Sequence, residues 1–84
     1  MKKYIVYLVD FTQDPPLQRK LRSSSWFSNA FFTAANFAVN NSLQEDFTIK
    51  KSLNAEMAWS DKETFNKMHH LVIIKKKTKK SKES

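Results

Sequence analysis

The chain has 84 residues, no cysteine and no glycine, is 40% hydrophobic and 13% aromatic, and carries a formal net charge of +7. That is one domain near the lower size limit for a self-sufficient core, with no disulfide or thiolate metal site to hold it together. The lack of glycine excludes phosphate-cradling loops, dinucleotide fingerprints and nucleophile elbows, all of which need a residue without a side chain for tight turns or close backbone approach.

The charge is unevenly placed. Residues 75–84, KKKTKKSKES, hold six lysines against one glutamate, a balance of +5, while the other 74 residues hold nine basic and seven acidic side chains, a balance of +2. The expected organisation is a folded domain over residues 1–74 and a lysine-rich tail over 75–84. The tail has no apolar side chain to pack and is expected to be disordered. Met1-Lys2-Lys3 and the apolar run that follows mimic a signal peptide, but the run stops at Asp10 with no small-residue cleavage site after it. No stretch approaches the ~20 apolar residues of a membrane span. A cytoplasmic protein without membrane contact is expected. Abundant Lys, Asn and Phe point to an AT-rich genome, such as that of a bacteriophage or plasmid.

In chain order, residues 3–11 form the first expected strand. Tyr4, Val6 and Leu8 point one way and Ile5, Tyr7, Val9 and Phe11 the other, so both faces are apolar and the strand is interior or meets a partner. Asp14 then suits a helix N-cap with Pro15 at the first helical position. The helical pattern runs to about Val39, where Asn40-Asn41 stops it, asparagine standing in for a left-handed glycine. Ser23-Ser24-Ser25 leaves open one kinked helix or two. At 100° per residue, Phe27, Ala30, Phe31, Ala34 and Ala38 form a core face. Asn29, Thr33, Asn36, Asn40 and Arg22 form a polar stripe, and Leu17, Leu21, Phe32 and Val39 a second apolar edge.

Over residues 46–60 the odd positions Phe47, Ile49, Leu53, Ala55, Met57 and Trp59 alternate with mostly polar even ones. This period of two predicts one long strand, or a hairpin with a three-residue loop at Lys50-Lys51-Ser52. Ser60-Asp61-Lys62-Glu63 matches a capping box, predicting a short helix over residues 61–69 with Phe65 and Met68 buried. Residues 71–74 form the last strand. The element order β-α-β-β-α-β is that of an α+β, ferredoxin-like split sandwich. Its open sheet face would be covered by homodimerisation or by a partner.

Groups that carry chemistry are few. His69 and His70 are adjacent, so on a strand they point to opposite faces and do not share a metal; no metal, cofactor or catalytic residue is expected. The segment YIVYLVDFTQDPPLQRKL, residues 4–21, resembles the opening strand and basic helix of small ferredoxin-fold nucleases associated with CRISPR systems and toxin–antitoxin loci. That resemblance implies a metal-binding role for Asp10 and makes a metal-dependent nuclease the third reading, behind two binding functions. Tyr4, Tyr7 and Phe11 resemble the base-stacking strand aromatics of RNA-recognition motifs. The glycine-rich third-strand segment of that motif is missing, and these rings are expected in the core.

Arg19, Lys20 and Arg22, Lys50 and Lys51, and the tail residues Lys75, Lys76, Lys77, Lys79, Lys80 and Lys82 are the candidate contacts for nucleic acid or another polyanion, since phosphate binding asks mainly for positive charge. The first expectation is a non-enzymatic, nucleic-acid-associated binding protein. The alternative is an inhibitor or effector of a host protein, anchored by Trp26, Phe32 or Trp59.

Overall fold

The computed structural model describes residues 3–61 and 68–77. It is a five-stranded sheet with two helices. Strand β1 (Tyr4–Asp10) pairs on one side with β2 (Leu17–Ser24) and on the other with β5 (His70–Lys76); β4 (Met57–Ser60) and the short β3 (Gln44–Glu45) complete the order β2-β1-β5-β4-β3. Every neighbouring pair is antiparallel. Helix α1 (Phe27–Asn40) follows β2, and helix α2 (Phe47–Ser52) lies between β3 and β4.

The two faces of the sheet carry separate cores because side chains alternate along each strand. Val6 and Leu8 of β1, Val72 and Ile74 of β5, Trp59 of β4 and Leu43 pack with Ala30, Ala34 and Ala38 of α1. These alanines recur every four residues, so α1 presents a seam of small side chains and sits close to the sheet. Val6, Val72 and Ile74 are the largest fully buried side chains, each contributing about 1.5–3 kcal/mol by burial. Along the seam, Tyr4 meets Phe27 edge-on at 5.4 Å, Phe27 meets Phe31 at 5.9 Å, and Phe31 meets Trp59 at 5.5 Å. On the opposite face Ala58, Leu71 and Ile73 pack with Tyr7, Val9, Met68, Ala55 and Ile49 of α2.

Both helices stop without glycine. At the end of α1, Leu43 N–H bonds Ala38 O at 2.8 Å and Ser42 N–H bonds Val39 O at 3.3 Å, with Ser42 left-handed at φ 60°. At the end of α2, Ala55 N–H bonds Lys50 O at 2.9 Å and Asn54 N–H bonds Lys51 O at 3.2 Å, with Asn54 at φ 53°. Each is a Schellman motif, a position where glycine is the usual residue.

The expected α+β class is present, in a different arrangement. The order is β-β-α-β-α-β-β, the sheet has no parallel pair, and the helices lie on opposite faces rather than together on one. Residues 17–24 are a strand where a helix was expected. Asp14, Pro15 and Pro16 sit in the β1–β2 turn instead of starting a helix, consistent with the extended bias of a residue that precedes proline. The left-handed residue after α1 is Ser42, not Asn41, whose φ is −118°.

Residues 47–52 are helical where a strand was expected: Asp46 is the N-cap, its carboxylate accepting Ile49 N–H at 3.0 Å. The strand signal of the 46–60 segment holds only at Met57–Ser60. The expected 61–69 helix, with Phe65, falls mostly outside the described residues, and so does the tail beyond Lys77.

Two stability outcomes follow from this packing. Ile74→Ala is expected to lower unfolding free energy by about 2–5 kcal/mol, read from the midpoint of a urea titration. Ser42→Gly is expected to raise it by about 1 kcal/mol, because it removes the left-handed penalty of a residue with a Cβ; a loss of stability would contradict the Schellman assignment.

Candidate functional site

Edge strand β2 brings Arg19, Lys20 and Arg22 together, all exposed. The ladder slips by one residue there: Val6 pairs with Arg22 and Tyr7 with Lys20, so Leu21 is the extra residue of a bulge and packs against the α1-side core. Arg22 Nη1 donates to Thr33 Oγ1 of α1 at 3.0 Å. Arg19 pairs with Leu8 and Lys20 with Tyr7, so their side chains leave the edge on opposite sides.

One end of the sheet adds further cations. Tyr4 pairs with Ser24 on one side and Lys76 on the other. Lys3 N–H bonds Ser24 O at 3.0 Å, and Lys77 N–H bonds Lys3 O at 2.6 Å. The sheet end at Lys3, Lys76 and Lys77 thus lies beside the end of β2, two strand spacings or about 10 Å across. Glu56, whose N–H bonds Ile74 O at 2.8 Å, is the acid near that end. Arg19, Lys20, Lys76 and Lys77 pair with no carboxylate among the described residues.

The remaining sequence candidates divide. Lys75 Nζ donates to Leu53 O at the end of α2 at 2.8 Å; it closes a helix terminus. Lys50 and Lys51 occupy the last turn of α2, where positive charge complements the helix dipole. Helix α2 lies over β4 and β5 on the face of the sheet away from α1, apart from the β2 edge. Lys79, Lys80 and Lys82 fall outside the described residues. Trp26, at the N-cap of α1, is 69% exposed and Phe32 67%. Trp59 is 4% exposed and packs against Phe31 with the rings tilted by 55°, so it belongs to the core and offers no anchor at the surface.

A second cluster, which sequence reasoning missed, closes the opposite end of the sheet. His70 starts β5 between the ends of β1 and β4. Its Nδ1 lies 3.1 Å from Asp61 Oδ2 and its Nε2 3.5 Å from Asp10 Oδ1. Asp61 Oδ1 also accepts the N–H groups of His69 at 2.8 Å and His70 at 2.7 Å. Asp10 Oδ1 accepts Thr12 N–H at 2.9 Å and the Thr12 hydroxyl. These bonds, led by the Thr12 hydroxyl, hold the Asp10 carboxyl below its ordinary range. Burial pushes Asp61 up, but the His70 N–H, its ring and the His69 N–H together outweigh burial and leave that carboxyl lowered. Both ring nitrogens of His70 face carboxylates, so the arrangement works as a clasp joining three strand ends. The signal was in the sequence: an acid at the end of each apolar run and a histidine at the start of the last.

No group of three or more His, Asp or Glu side chains among the described residues is arranged to hold a metal ion. No helix among them is long and apolar enough to cross a membrane. No protein-family model, curated protein or solved structure matches the chain.

The clasp sets a pH dependence. A carboxyl lowered in the folded state stabilises the fold above its unfolded pKa of about 3.9. That contribution is lost as pH falls through the folded value. Asp61→Asn is expected to cost about 1–3 kcal/mol at pH 7. The gap from the parent protein is expected to narrow as pH drops below about 4, measured by urea unfolding across pH. A gap that widens in acid would remove the clasp.

Proposed function

We propose that this protein works by binding nucleic acid. The contact surface is the basic edge strand β2 together with the sheet end at Lys3, Lys76 and Lys77, from which the lysine-rich C-terminal segment departs. The observation that carries this reading is the segregation of cations that pair with no carboxylate among the described residues: Arg19 and Lys20 are exposed on one edge, and Lys76 and Lys77 stand on the neighbouring sheet end. Phosphates require positive charge more than exact geometry. From residue 19 to residue 22 the strand runs about 10 Å, a length over which duplex DNA carries about six charges. The bulge at Leu21 and the alternation of side chains spread the cations to both sides of the edge, so a sugar–phosphate backbone lying along β2 meets charge from each flank.

Fluorescence anisotropy with labelled single-stranded and duplex oligonucleotides over a salt series tests this. Engagement of five C-terminal lysines alone gives a slope of log K against log salt of about −4 to −5 on duplex. Arg19→Gln with Lys20→Gln is expected to make the slope shallower by about 1.5 and leave the fold intact, because neither side chain is buried. Binding that is indifferent to salt and to this double substitution would overturn the reading.

A second reading, inhibition of a host protein by docking, draws on the exposure of Trp26 and Phe32. It is favoured if a stoichiometric protein partner is retained after nuclease treatment.

A further inference from the structure

Helix α1 has no charged side chain, in a chain whose net charge is +7. Its alanine seam faces the sheet. Away from that seam, Phe32 is 67% and Val39 76% exposed; half-buried Ala35 and exposed Asn36 lie between them. These four positions are spaced i, i+3, i+4 and i+7, which makes them one stripe along the helix. A single exposed apolar residue is ordinary. Two large ones on the side of a helix where charge normally stands are not.

We propose that this stripe is a self-association surface, on which α1 of a second copy of the chain packs antiparallel about a twofold axis. Charge selects that occupant. In a twofold contact the element on the axis meets its own copy, so an axis at β2 would set Arg19, Lys20 and Arg22 against their like, one at α2 would do so with two lysines, and one at β5 with its own. Helix α1 brings no charge to the contact, which is what two strongly cationic chains need to approach each other. An acidic partner, by contrast, would find no cation at these four positions; Arg22 meets the helix at Thr33 Oγ1, off the stripe.

The spacing is also self-complementary. With the axis passing midway between positions 35 and 36, Phe32 faces Val39 of the second copy, and Ala35 faces its Asn36. Large side chains at the two ends and an alanine at the centre let the helix axes approach to about 8 Å. The surface is independent of the β2 edge.

Sedimentation velocity on the full chain, freed of nucleic acid, tests the proposal. A dimer is expected at about 50 µM, with association strengthening as salt rises from about 0.05 to 0.3 M, because screening weakens repulsion between the copies. Nucleic-acid binding responds to salt in the opposite direction, so the two readings fail separately. Phe32→Glu and Val39→Glu are each expected to raise the dissociation constant by more than about tenfold, with the circular dichroism spectrum unchanged. Thr48→Glu, exposed on α2 at the other face of the sheet, adds the same charge away from the stripe and is expected to leave it unaltered. A chain that stays monomeric up to about 100 µM at every salt concentration would overturn the proposal. So would a dimer that survives Phe32→Glu, or one weakened as much by Thr48→Glu.

Discussion

The pairing of β1 with β5 is the constraint on which the rest of the molecule depends. Val6 meets Ile74 and Leu8 meets Val72 on the α1 face; Tyr7 meets Ile73 and Val9 meets Leu71 on the other. A strand apolar on both sides needs cover on both faces of the sheet. Here two such strands lie side by side at its centre, with α1 on one face, α2 on the other, and β2 and β4 on their outer flanks. Helix α1 can then pack as alanine against a flat apolar floor, and α2 needs to cover only the part of the opposite face near β4. Neither helix is long enough to be stable alone; both are held by the floor beneath them.

The sheet is polarised along its strands. One end is gathered by Asp10, His70 and Asp61, whose hydrogen bonds are mutual. About 20 Å away, Lys3, Lys76 and Lys77 stand without such partners among the described residues. Hydrogen-bonded polar groups hold one end together, and positive charge collects at the other. The same division separates side chains that maintain the fold, such as Lys75 on Leu53 O, from exposed ones that pair with no carboxylate among the described residues, such as Arg19 and Lys20.

Legibility in the sequence followed how local each signal was. Strands β1 and β5 were readable because their apolar runs are continuous and identify themselves. The inward seam of α1 was readable because three alanines repeat with helical spacing. Residues 17–24 were not, since Leu-Gln-Arg-Lys-Leu-Arg is a fair helix former and becomes a strand only by pairing with β1, an instance of tertiary context overriding propensity. Alternation misled over residues 47–52: Phe47 is 62% exposed, so its odd position recorded nothing about burial. Asp46 as N-cap and Asn54 as left-handed stop were there to be found. Of the site, composition alone revealed the C-terminal lysines. That Arg19 and Lys20 stand on an edge, and that Trp59 is committed to the core, could be learned only once the sheet was assembled.

The central pair also joins segments far apart in the chain, His70 meeting Asp10 about sixty positions later. During synthesis β1, apolar on both sides, emerges before β5, and its principal partner does not exist until the intervening residues have been made. The hairpin with β2 is its available companion in that interval, and charge of the kind Arg19, Lys20 and Arg22 place along that edge disfavours strand pairing between chains.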